Sequence, residues 1–174
     1  PKEIADILGI HDGEDLSIPN GLGAELAINK VLKNTSIHPD EIDYINAHAT
    51  STPGGDKKEA WAINKIFKNK PYISSTKSMT GHECWMAGAS ELIYSFLMIR
   101  DNFLAPNINF TEGDKETAKI NVINKKIDYS PKIILSNSFG FGGTNAAVII
   151  KKIEEWFLTW MSIYIKSFFT TKHN

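Results

Sequence analysis

Three stretches of this chain share one pattern: a short apolar, β-type run ends in a loop of glycines and small polar residues. Residues 74–91 (SSTKSMTGHECWMAGASE) pass from an apolar strand through a Gly-bracketed turn into an apolar helix. This stretch brings a cation (Lys77), an imidazole (His82) and a carboxylate (Glu91) into one neighbourhood, where each can position or neutralise another. Residues 46–56 (NAHATSTPGGD) form a second such loop and residues 136–146 (SNSFGFGGTNA) a third. All three punctuate strand ends. In an open α/β sheet, ligands gather at the edge where strands end, so the pattern predicts a sheet with helices on its faces and the three loops meeting at one edge.

The chain of 174 residues is long enough for one domain with a buried core. With 22% charged residues and a net charge of −1, it has no basic excess to draw nucleic acid or an anionic membrane. The single cysteine, Cys84, excludes an internal disulfide and points to a reducing compartment, so a cytoplasmic protein is expected. The first residues, PKEIADILGIHDGED, have no signal-peptide character. Starting at Pro1 without an initiator Met, they read as the interior of a longer coding sequence.

Taken in order, residues 3–10 read as the tail of a strand and 11–15 as a turn with His11 solvated. A helix follows over GLGAELAINKVLKN, with Leu22, Leu26, Val31 and Leu32 on its apolar face and Ile28 flanking it. His38, before Pro39, is a surface residue. Residues 42–47 form a short strand ending at His48. Asp56 is positioned to cap a helix over 57–68, whose apolar face is Ala60, Ile63, Ile66 and Phe67. Residues 87–100 read as a largely buried helix, small residues first. Glu91 sits in this apolar run and needs a partner, for which Lys77 is nearest in sequence. Residues 111–119 are a charged surface excursion. The Gly loop at 139–143 feeds AAVII, a β-branched run and not a helix N-terminus, so it is a hairpin turn and no phosphate cradle.

Beyond Lys152 the character changes. Residues 153–174 are rich in Trp, Phe and Tyr, and their uncharged run from 156 to 165 is shorter than the roughly 20 residues that a membrane span needs. Either a packed terminal helix or sequence read past a disrupted stop fits, and the second is favoured.

In this order and at this separation, NAHATSTPGGD, STKSMTGHECWMAGASE and SNSFGFGGTNAAV resemble the C-terminal half of the β-ketoacyl-acyl carrier protein synthases, the elongating condensing enzymes of fatty acid synthesis. The resemblance covers residues 2–152 and makes 1–152 one domain, with 153–174 a tail foreign to the family. FLAPNINF (103–110) and the short spacing before Ser136 incline it to the type I enzymes. It implies a thiolase-like α/β fold, here one of two related halves stacked in five layers. It also implies an acyltransferase performing decarboxylative Claisen condensation on substrates carried by the phosphopantetheine of acyl carrier protein, with no cofactor of its own. The implied catalytic set is His48 and His82 as donors to the enolate oxygen, Lys77 beside them and Glu91 holding Lys77. Thr50 and Thr52 match threonines that bind the phosphopantetheine arm, and Phe141 matches the gate and oxyanion-hole residue. Asn46, Glu91, Ser136 and Asn137 match a monovalent cation site found in some members. Expected partners are acyl carrier protein, the N-terminal half that carries the nucleophilic cysteine, and a second copy in the dimeric full-length family.

Cys84 is not that nucleophile. Two residues after His82, it reads as a small buried hydrophobe. Trp85 and Met86 stand where the family carries small residues, and are expected to crowd His82 at a cost of about 1 to 3 kcal/mol. Two other readings compete: a decayed or carrier-binding relative without turnover, and a metal site from His48, His82, Glu83 and Cys84. The second lacks the His-x3-His spacing of a zinc protease.

Overall fold

The computed structural model describes residues 21–152 and the backbone of 163–165. The strand expected at 3–10, the turn at 11–15 and most of the tail lie outside the described residues. The described helices are α1 (Leu22–Thr35), α2 (Gly55–Ile66), α3 (Lys77–Thr80) and α4 (Ala87–Asp101). The strands are β1 (Tyr44–Asn46), β2 (Tyr72–Ser74), β3 (Phe103–Leu104), β4 (Asn121–Val122), β5 (Ile127–Asp128), β6 (Ile133–Phe139), β7 (Asn145–Lys152) and β8 (Ile163–Ile165).

Six strands form one mixed sheet in the order β4-β2-β1-β6-β7-β8, and β3 pairs with β5 in a small separate ladder. β4, β2, β1 and β6 are mutually parallel; the hairpin β6-β7 and the pair β7-β8 are antiparallel. The parallel strands are apolar at successive positions because both faces of the sheet are covered. Alternation sends Ile45, Ile73, Leu135 and Ile149 to one face, where they pack with Ile28, Val31 and Leu32 of α1 and Ile63 of α2. Their neighbours Tyr44, Ile134 and Ile150 point to the other face, against Met98 and Ile99 of α4. Each isoleucine or leucine so buried contributes about 1.5 to 3 kcal/mol. A one-residue slip of β1 would exchange the two cores.

The buried face of α1 differs from the sequence expectation. Ala24, Ala27, Ile28, Val31 and Leu32 are buried, whereas Leu22 and Leu26 remain 49% and 48% exposed. Alanines let the helix lie close to the sheet, and this rotates the two leucines outward. Gly21 precedes α1 at φ 92°, where a Cβ would meet the Trp61 ring at 3.1 Å, so two requirements favour glycine there. Asp56 lies inside the first turn of α2 and is not its cap; it accepts from Thr52 N–H at 3.3 Å. At the start of α4, Gly88 faces Ser138 of β6, and a Cβ would stand 3.1 Å from the serine hydroxyl. Among the described residues no helix is long and apolar enough to cross a membrane.

Candidate active site

Register builds the site. Asn46 of β1 lies opposite Ser74 of β2 on one side and Ser136 of β6 on the other. The first residues of the three loop motifs therefore form one row across the sheet, and the chain leaves it three times at the same edge. Asn46 and Thr76 lock two of these exits together: Thr76 N–H donates to Asn46 Oδ1 at 3.3 Å, and Asn46 Nδ2 donates to Thr76 Oγ1 at 3.3 Å.

From that row the expected residues converge. The His48 and His82 rings meet edge to face, with centroids 5.5 Å apart and planes at 84°, and Phe139 at the end of β6 lies 5.8 Å from His48. His82 is exposed; its Nδ1 accepts from Cys84 N–H at 3.1 Å, which leaves the neutral ring's proton on Nε2. His48 is mostly enclosed. Burial, then the charge of Lys77, then His82 lower its pKa to about 3, so its ring is neutral at physiological pH. Its Nδ1 has no hydrogen-bond partner among the described residues.

Lys77 and Glu91 form a buried ion pair between α3 and α4, with side chains only 5% and 2% exposed. Burial pushes the Glu91 carboxyl upward, and Lys77 opposes that shift. Thr50 and Thr52 place their hydroxyls 3.3 Å apart on the loop after His48. Phe141 is 84% exposed in the turn of the β6-β7 hairpin. Ser136 and Asn137 are buried on β6.

Glu59 was not singled out by its sequence. It lies on the buried face of α2, where it accepts from His48 N–H at 3.0 Å, Ala49 N–H at 2.8 Å and Asn137 Nδ2 at 3.0 Å. One carboxylate thus ties the His48 loop to α2 and β6, and burial raises its pKa against the pull of those donors. The signal was present: Glu59 sits four residues before Ile63 and eight before Phe67, a charge on an apolar stripe.

Two expectations at the His82 turn are corrected. Cys84 is exposed and not buried, with its backbone in the left-handed region at φ 49°. Trp85 and Met86 do not crowd the site, because they project into solvent at 102% and 63% exposure. A turn of 3-10 helix, Cys84–Met86, swings these side chains away from the sheet. Among the described residues no three of His, Cys, Asp and Glu are grouped to hold a metal ion, so the alternative set is not assembled.

The mixed sheet with helices on both faces and two histidines at its edge is the arrangement expected of a thiolase-like half. The model of the β-ketoacyl synthase C-terminal domain matches residues 3–111, and the chain belongs to that family. The 3-oxoacyl-[acyl-carrier-protein] synthase 1 of Escherichia coli K12 is 43% identical over 155 residues, 87% of this chain and 37% of that enzyme. The chain therefore spans little more than a third of the length of this curated relative. The solved ishigamide ketosynthase/chain length factor is similar at a TM-score of 0.79 and 30% identity, over 87% of this chain and 41% of its own. A type II polyketide ketosynthase solved with its acyl carrier protein is similar at a TM-score of 0.73 and 29% identity, over 83% and 35%.

Proposed function

We propose that this chain is the C-terminal portion of a 3-oxoacyl-[acyl-carrier-protein] synthase and supplies its decarboxylation machinery. In the reaction, the bond between the malonyl carboxylate and the α-carbon breaks and carbon dioxide leaves. The electron pair passes into a thioester enolate, whose carbon attacks an acyl thioester and expels the enzyme's cysteine thiolate. The difficult species is the enolate, with negative charge on the thioester oxygen.

Two neutral N–H donors aimed at that oxygen stabilise it selectively, each worth about 3 to 4 kcal/mol. The observation that carries the assignment is the His48–His82 pair: rings 5.5 Å apart, one kept neutral by burial and the other with its proton fixed on Nε2 by Cys84 N–H. The buried Lys77–Glu91 pair lies behind them. Lys77 bears on the malonyl step through its charge, and Glu91 keeps that charge in place. Thr50 and Thr52, on the loop leaving His48, are read as binding the phosphopantetheine arm, and Phe141, in the hairpin turn, as the gate. Acyl carrier protein is the partner, in keeping with the carrier complex of the similar ketosynthase. The nucleophile belongs to an N-terminal half. Glu91 Oε2 and Asn137 Oδ1 are each buried acceptors without a donor among the described residues, and a monovalent cation would satisfy such oxygens. With Asn46 and Ser136 they would hold it, and its charge would offset the buried carboxylate.

The test is malonyl decarboxylation by the full-length protein that contains this chain. His48→Ala and His82→Ala are each expected to lower the rate by about a hundred- to a thousandfold. Near-normal decarboxylation in both variants contradicts the assignment.

A further inference from the structure

The turn that presents His82 is anchored by a carboxylate that the proposed chemistry does not use. Glu83 follows His82 in the chain, and both of its oxygens are taken by hydroxyls of α4. Ser90 Oγ donates to Oε2, and Tyr94 OH donates to Oε1 at 3.0 Å. Ser90 and Tyr94 are four residues apart on the helix and so present their hydroxyls on one side. The Glu83 carbonyl accepts from Met86 N–H at 3.1 Å, closing the turn that points Cys84 N–H at His82 Nδ1.

That turn needs holding. Cys84 sits at φ 49°, a region costly for a residue with a Cβ, and the exposed Cys84, Trp85 and Met86 offer it no apolar anchor. We propose that Glu83 is a positioning residue for His82: gripped by Ser90 and Tyr94, it holds the 83–86 turn on α4, keeps Cys84 N–H on His82 Nδ1, and so keeps the ring's proton on Nε2. The role rests on the reading of His82 as an enolate donor. The same two hydrogen bonds, Ser90 first, hold the Glu83 carboxyl below the usual range, so both oxygens remain acceptors.

The experiment compares the full-length wild type with Glu83→Ala and Glu83→Gln by decarboxylation kinetics and by imidazole 15N shifts of His82. Glu83→Ala is expected to lower kcat about 10- to 100-fold through misplacement of the ring, with KM for malonyl carrier protein within about twofold. The His82 nitrogens should change from a single tautomer to a mixture. Glu83→Gln keeps an oxygen acceptor and restores most of the rate. Ser90→Ala with Tyr94→Phe removes the two donors and should reproduce the Glu83→Ala result; it takes the place of Glu83→Ala if that variant does not fold. Unchanged tautomer and kcat, or a loss confined to KM, overturns the proposal. If the wild type itself does not decarboxylate, the functional reading fails, and the His82 nitrogen shifts still decide the role of Glu83.

Discussion

His48 is where the site couples chemistry to stability. An imidazole in the unfolded chain protonates near 6.5, whereas burial and the neighbouring Lys77 lower the folded value to about 3. Between those limits the unfolded state binds the extra proton, so stability falls as pH falls from about 6.5 toward about 3. Above 6.5 both states carry a neutral ring and the contribution is flat. Denaturant midpoints of wild type and His48→Gln should run in parallel from pH 8 to about 6.5, and the wild type should then lose ground at lower pH. Parallel curves down to pH 4.5 would mean that the ring is solvated in the native state. The two histidines could be picked out in the sequence because each stands in a loop with its own Gly and Thr neighbours. Exposure was not legible at that scale: Cys84 looked like a buried thiol by residue type, yet the positive φ of a single turn put it in solvent.

At the scale of elements, α3 is one turn long and has little helical stability of its own. What fixes it is the ion pair from Lys77 to Glu91 of α4, dry on both sides. Removing one partner of such a pair leaves an uncompensated buried charge and typically costs about 3 to 5 kcal/mol. Lys77→Met and Glu91→Leu are each expected to show a loss of that size in chemical denaturation, while the double variant loses less than either. Additive losses would mean that the two side chains do not act as a pair. This partnership was readable because a lone carboxylate in the apolar run AGASELIYSFLM demands a cation. The Glu59 tie was missed because a charge on the apolar stripe of α2 shows only that a partner is needed, and its three donors are backbone and amide groups of another loop and strand. The face of α1 was partly misjudged for a related reason. Leucine outranks alanine in apolar character, but the sheet accepted the alanines, which permit close approach, and left Leu22 and Leu26 outside.

For the molecule as a whole, the strand order and the single register row of Asn46, Ser74 and Ser136 explain why three distant motifs act in one place. Parallel neighbours end on the same side, and loops that follow parallel strands share an edge. That much was legible from the order of the motifs. The chain brings His48 and His82, the Lys77–Glu91 ion pair and a hairpin turn with an exposed phenylalanine to this edge, and its one cysteine lies in the His82 turn, at no strand-to-helix elbow. On the proposed function, the nucleophile for acyl transfer is therefore supplied from outside these residues. The most direct test is a malonyl-carrier-protein decarboxylation and condensation assay, run on this chain alone and again with the N-terminal half of the synthase added. Condensation only in the mixture is the expected result. Condensation by the chain alone, or none from a mixture shown to be folded and associated, would contradict it.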